Sequence, residues 1–277
     1  VLTLAIHVAT HFGGHVHRMQ GDGIFLQFVR KGQEEENAVI NALNAASVLA
    51  HFISTALAGI FDQNGVKPLR VRIGIDLGYE KDVLWSHYGI PLCSELTTTS
   101  LHTDLAAKLQ AQAESNGILV GGNIKDILDI KDDFCRSCLD KEKNTDYYIY
   151  QGSAMSYRKY NFDWKKYLNS YDFYRNNTID TPNIRLVCKI TEPQSSYQKD
   201  YYQNSSAIKK GTDIQYTIME NGHPYHKKDW ETIEWKAYNS GKEAANTKDG
   251  LTHDFGGTYK NKTVCETSAA YVGHHYV

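Results

Sequence analysis

Apolar positions in VLTLAIHVATHF, residues 1–12, recur at helical spacing, and Gly13-Gly14 end the helix that they predict. HVHRM and IFLQFV then read as two short strands around the turn QGDG. Glu34, Glu35 and Glu36 suit the positive end of a helix dipole, and VINALNAASVLAHFISTALAGIF behind them keeps apolar residues at helical spacing. A long helix packed across a sheet is expected there. LRVRIGIDLG, residues 69–78, alternates as a strand, and DVLWSHYG follows as its expected hairpin partner. SLHTDLAAKLQAQAES, residues 100–115, predicts a helix, GILVGG a short buried strand and NIKDILDI another helix. Strands and helices intermixed in this way predict an α+β domain over residues 1–150, a mostly antiparallel sheet flanked by helices.

Beyond residue 130 the chain becomes more charged and then more aromatic. KDDFCRSCLDKEKNTD leads to a strand, YYIYQ, and MSYRKYNFDWKKYLNSYDFY predicts a linking helix within 151–180. From 181 to 277, IRLVCKIT, TDIQYTIME, TIEWKAYNS and KTVCETSAAYVGHHYV are short β-branched and aromatic runs between turns, the pattern of a smaller all-β module. The first dozen residues are already the body of a helix with no N-cap before them, so a preceding segment is expected.

A chain of 277 residues, 41% hydrophobic, can bury two cores. Its net charge of −2 gives no long-range field toward nucleic acid. No uninterrupted apolar run approaches the roughly 20 residues that span a bilayer, so the expected protein is soluble and cytoplasmic, without a membrane or direct nucleic-acid partner. Five cysteines form an odd set in which only Cys135 and Cys138 are close; without two more nearby ligands they read as free thiols.

Asp22 is the acidic tip of the QGDG turn. An Asp between glycines often does no more than cap its own turn. Its setting is more specific: helix, Gly-Gly, strand, GDG, strand, long helix, RVRIGI, a polar segment and a TDLAAKL helix follow in order. HRMQGDGIFLQF, RVRIGIDLG and TDLAAKLQ together resemble the catalytic domain of class III nucleotidyl cyclases. The resemblance implies a head-to-tail homodimer with interfacial active sites and a pair of divalent metals, Mg2+ or Mn2+, held by two carboxylates. Asp22 is one of them, and the other is expected upstream of Val1.

The same resemblance places two base-reading side chains at Arg18, three positions before Gly21, and at Thr97. It also places a ribose-orienting residue at Asp104 and a phosphate-facing cation at Lys108, where the family motif carries Asn and Arg. Lys108 keeps the charge without the bidentate fork of Arg, and an ordinary surface i, i+4 pair would account for Asp104 and Lys108 equally well. Read singly, Arg18 is a solvated cation and Thr97 a sheet or cap residue.

SELTTTSLHTDLAAKLQ, the HRMQGDGIFLQF hairpin and the β-rich tail are more specifically similar to the pyrimidine cyclases of the Pycsar anti-phage system. That likeness implies conversion of UTP or CTP to the 3′,5′-cyclic nucleotide and pyrophosphate, a separate effector activated by the product, and a sensor-like tail. An Arg at the base edge favours uracil, which offers acceptors, whereas a carboxylate there would favour the amino group of cytosine. A purine cyclase, or a nucleotide-sensing dimer without turnover, keeps the same fold. In the tail, His223, His226, His253, His274 and His275 lack a metal-ligand spacing, and Trp230, Trp235, Tyr238 and Tyr271 suit a core as well as a stacking cleft.

Overall fold

The computed structural model describes residues 1–277 apart from 30, 31, 33, 139–146, 150–155, 171–183, 203–205 and 274, with the backbone alone at 147–149 and 275–276. Two compact units emerge: unit 1 holds residues 1–127 and 132–170, and unit 2 holds 128–131 and 171–277.

Unit 1 opens with α1 (Leu2–His11) and the hairpin of β1 (His15–Gln20) and β2 (Gly23–Gln27). Then comes α2 (Glu35–Phe52), which runs through a π turn, Ile53–Leu57, into α3 (Ala58–Gln63). By length and composition alone this helical stretch of 29 residues is long and apolar enough to cross a membrane, and 44% of its apolar window is buried inside the protein. In the structure Val39, Leu43, Leu49 and Ile53 are buried, and Ala5, Leu49 and Ile53 form a core with Val8, Ile24 and Ile73 packed against it. Asn44, buried on α2, accepts a hydrogen bond from Tyr167 Oη at 2.7 Å.

The central sheet runs β3 (Ile73–Ile75), β6 (Ile118–Gly121), β9 (Ser156–Phe162) and β7 (Cys135–Ser137), with β8 (Tyr147–Ile149) also on β9. β3 and β6 are parallel, and β9 pairs antiparallel with β6, β7 and β8. β4 (Leu84–Ile90) does not pair with β3, as the sequence had suggested. It forms a separate hairpin with β5 (Cys93–Thr99) across Pro91-Leu92, where Leu92 has φ 74°. β3 is instead committed on two sides. It pairs with the fully buried β6, and α4 (Leu101–Gln112) lies so close that a Cβ on Gly74 would stand 2.2 Å from the Ala106 carbonyl oxygen. Leu109 and Ala113 bury there with Leu119. After β6 the chain enters α5 (Gly122–Leu128).

The aromatic segment expected as a linking helix is mostly β9, which buries Tyr157, Tyr160 and Phe162, followed by the short α6 (Trp164–Asn169). Aromatics at near-alternate positions bury one strand face as readily as a helix stripe. The rest of that expected helix, 171–180, lies outside the described residues. All five cysteines are free, and burial pushes the Cys135 thiol up to about 12.

In unit 2, β11 (Gln198–Tyr201), β10 (Ile184–Thr191), β12 (Asp213–Glu220) and β13 (His223–Pro224) lie side by side, with β16 (Val264–Ser268) also on β12. β15 (Thr252–Asp254), β14 (Lys236–Asn239) and β17 (His275–Tyr276) form a second sheet, and α7 (Lys242–Ala245) and α8 (Gly256–Tyr259) are single turns. The described strands are antiparallel throughout, around Ile190, Ile214 and Ala269. Trp235 is a core residue whose indole N–H donates to the Lys262 carbonyl, whereas Trp230 and Tyr238 are exposed. His274 lies outside the described residues.

Candidate active site

The β1–β2 hairpin closes at Gln20 opposite Gly23, and Gly21 takes φ 59° in its two-residue turn. That conformation suits Gly, and it leaves Asp22 exposed at the tip. Along β1 the register shifts between Val16 and Arg18, making His17 the extra residue of a bulge. A bulge re-aims its side chain. His17 Nε2 is hydrogen-bonded to Thr97 Oγ1 at 2.9 Å, and its ring meets Phe25 and Trp85 edge-on. Burial, then the neighbouring Arg18 charge, lower the His17 pKa, so the imidazole is neutral at pH 7.

Arg18 crosses to the other hairpin as well. Its Nε donates to Glu95 Oε1 at 2.8 Å, and its Nη2 donates to the same oxygen. Glu95 and Thr97 are two apart on β5 and therefore share a strand face. The structure thus brings Arg18 and Thr97 to one patch, and adds His17 and Glu95 to it. The signal for Glu95 was that i, i+2 relation to Thr97. Nothing in sequence marked the bulge at His17.

Deeper in the same seam, Gln27 Nε2 donates to Thr98 Oγ1 at 3.3 Å, Thr98 and Thr103 hydroxyls are 3.1 Å apart, and Ser100 Oγ accepts from Thr103 N at 3.1 Å as the N-cap of α4. This chain of side chains joins β2 to the start of the helix that carries Asp104 and Lys108. Leu105 and Leu109, each one residue on, are buried, so Asp104 and Lys108 lie one turn apart beside the packed stripe. Asp104 is exposed and Lys108 half-buried.

A second support for α4 went unrecognised in sequence. The Asp76 side chain is fully buried; its Oδ2 is 2.8 Å from His102 Nδ1, in the first turn of α4, and its Oδ1 accepts from Tyr157 Oη at 2.6 Å. Tyr157 Oη in turn accepts from Asn123 N at 3.1 Å. The hydrogen bond from Asp76 raises the His102 pKa against the effect of burial. Burial, followed by the Asp76 charge, pushes Tyr157 well up, which keeps its hydroxyl a donor. Gly121 makes room for the cluster, since a Cβ there would stand 2.0 Å from Asp76 Oδ1. Asp76, His102 and Tyr157 come from three separate elements, so no local motif announces them.

For a metal, Asp22 offers hard carboxylate oxygens of the type that divalent Mg2+ and Mn2+ prefer. Among the described residues no group of three or more His, Cys, Asp or Glu side chains converges on a common point. Asp22 by itself offers one such carboxylate.

The arrangement can do chemistry by position and charge: an acceptor and donor patch, a hairpin-tip carboxylate, and a helix bearing a carboxylate and an ammonium. Residues 162–277 match the family described as the adenylyl/guanylyl and SMODS C-terminal sensor domain. Over its whole length the chain is 34% identical to a cytidylate cyclase of Staphylococcus aureus, of which it spans 67%. It is 32% identical over 78% of its length to a cytidylate cyclase of Escherichia coli, spanning about half (48%) of that relative. Among solved structures, the adenylyl cyclase CyaB of P. aeruginosa superimposes at a TM-score of 0.48 with 19% identity, covering 58% of this chain and 77% of that one.

Proposed function

This chain belongs to the cytidylate cyclase family of class III nucleotidyl cyclases, and from that premise we propose that it converts CTP to 3′,5′-cyclic CMP and pyrophosphate as a second messenger in anti-phage defence. The observation that carries the proposal is the meeting of Arg18 and Thr97, 79 positions apart in sequence, on one patch through Glu95 and His17.

The ribose 3′-hydroxyl is the nucleophile and the α-phosphate its target, so the protein supplies placement and electrostatics rather than a covalent intermediate. Arg18 and Thr97 hold the base, Asp104 accepts from the ribose hydroxyls, and Lys108 faces the phosphate oxygens on which negative charge grows. Asp22 would hold divalent metal together with triphosphate oxygens and a further carboxylate. When bound, the metal acidifies the attacking hydroxyl and offsets the triphosphate charge.

A second copy of this chain completes the site in our reading. What supports it is the β4–β5 hairpin, which pairs with no other strand among the described residues and exposes Leu84, Trp85, Ile90, Leu92 and Leu96. An apolar surface of this kind marks an interaction site. Asp22 of one copy would then serve with Arg18, Thr97, Asp104 and Lys108 of the other.

The test is to incubate the complete natural protein with each of the four triphosphates and Mg2+ or Mn2+, and to separate the products by chromatography. Cyclic CMP from the wild type and none from Asp22→Ala is the expected result. A purine cyclic product in its place overturns the pyrimidine reading, and a folded dimer without turnover returns the protein to the nucleotide sensors.

A further inference from the structure

Arg18 taken alone presents donors, which suit the O4 of uracil; cytosine carries an amino donor at that position and needs an acceptor opposite it. On the patch formed by the two hairpins, Arg18 can only donate, and the Thr97 hydroxyl is already engaged by His17. Glu95 is the one side chain there that only accepts when ionised.

Its geometry leaves it able to do so. Arg18 directs both Nε and Nη2 at Oε1, with Nη1 on the opposite side of the guanidinium, so the acceptor this pair offers a ligand is the second carboxylate oxygen, Oε2. Both side chains are close to half exposed, at 44% for Arg18 and 49% for Glu95. The pair is therefore accessible to a ligand while each partner fixes the other. A carboxylate oxygen complements the N4 amino group of cytosine, which is a donor. Uracil in the same pose sets O4 against the carboxylate, a repulsive contact in place of an attractive one.

We infer that Glu95 is the residue that makes the base site prefer cytosine over uracil, its Oε2 accepting from the N4 amino group while Arg18 holds the carboxylate through Oε1. This rests on the assignment of the Arg18–Thr97 patch to the base. Glu95 reverses the preference that Arg18 would have alone. It does so by engaging Nε and Nη2 of Arg18 and offering its own second oxygen as an acceptor.

Glu95→Gln tests the inference, because the amide keeps the size of the carboxylate but can turn an N–H toward O4. The readout is the ratio of kcat/KM for CTP to that for UTP in the complete natural protein. Facing a base donor with an acceptor or with a mismatched donor discriminates by about 10-fold, so the ratio should fall by about 10-fold in Glu95→Gln. Lys108→Ala, acting on phosphates common to both substrates, should lower both activities and leave the ratio unchanged. A wild type that makes cyclic CMP while Glu95→Gln keeps the ratio within about two-fold overturns the role of Glu95 and leaves the cyclase reading standing. A wild type that makes no cyclic CMP overturns that reading itself, and one that prefers UTP overturns the inference whatever the variant does.

Discussion

Removing the Asp76 carboxylate should destabilise unit 1 by an amount that depends on pH, and the structure sets both the size and the sign. Asp76 is fully buried and has two partners, His102 Nδ1 at 2.8 Å and Tyr157 Oη at 2.6 Å. Asp76→Ala orphans both, and breaking a buried, hydrogen-bonded charge pair costs about 3–5 kcal/mol. Asp76→Asn keeps the shape and one acceptor but loses the charge, so about 1.5–3 kcal/mol is expected, the worth of a hydrogen bond to a charged group. The His102 pKa is raised in the folded state above its ordinary 6.5. Protonation of His102 therefore favours folding: the contribution is fully present below about pH 6.5 and is lost as pH rises through the raised folded value. Asp76→Asn abolishes the cause of that shift, so it should cost more near pH 6 than near pH 8.5. Urea denaturation followed by far-UV circular dichroism reads this in unit 1, where the long described helices lie. Equal losses at the two pH values would refute the charge pairing, and a loss below about 1 kcal/mol for Asp76→Ala would refute the burial argument.

Three further outcomes follow from the same geometry. Gly121→Ala puts a methyl 2.0 Å from Asp76 Oδ1 and 2.7 Å from the Tyr157 ring; a loss of about 1–3 kcal/mol in the same urea assay is expected for such overpacking. Lys108→Ala should lower kcat by about 10²-fold or more without unfolding, whereas Lys108→Arg should retain activity, as a positive charge aimed at the phosphates requires; steady-state kinetics decide it. Leu84→Glu combined with Ile90→Glu, at side chains 64% and 70% exposed, should turn a dimer into a monomer in analytical ultracentrifugation and abolish cyclase activity together.

Much of the fold was legible because most elements announce themselves locally. Gly13-Gly14, the GDG turn, the run of glutamates before α2 and the apolar GILVGG each end or begin an element by the chemistry of a few adjacent residues. The pairing of those elements was less so. β3 and β4 are neighbours in sequence and each looks like half of a hairpin, yet Gly74 admits α4 onto β3, and Ile73 and Ile75 pair with Ile118 and Val120. A glycine in a strand signals close approach, but it does not say what approaches. The LCSELTTTS segment carries too many hydroxyls to read as a strand by hydrophobicity, although its threonines suit one by β-branching.

The candidate site divides along the same line. Asp22, Arg18, Thr97, Asp104 and Lys108 could each be singled out because the resemblance to the class III cyclases gives each a definite place along the sequence. What acts on them could not, since it arrives from elsewhere in the chain: Glu95 meets Arg18 across 77 residues, and Asp76 and Tyr157 meet across 81. The consequence for the base preference is specific. A lone guanidinium is a set of donors and points to uracil; a guanidinium with Nε and Nη2 given to one carboxylate oxygen has those donors engaged, and the other oxygen of that carboxylate points to cytosine. The same holds for the helix motif. Asp and Lys in place of Asn and Arg look like a weakening when α4 is considered by itself. On the proposed reading the point-like ammonium of Lys108 depends on where its helix is held, and that helix is fixed at its first turn by Ser100, by the Thr98–Thr103 hydroxyls and by the buried Asp76–His102 pair. Misplacement by about 1 Å can cost about 10²-fold in rate. If the fixed helix is what lets Lys108 serve, Asp76→Asn should lower kcat more than it lowers the binding of CTP, whereas a loss confined to stability would detach the buried cluster from catalysis.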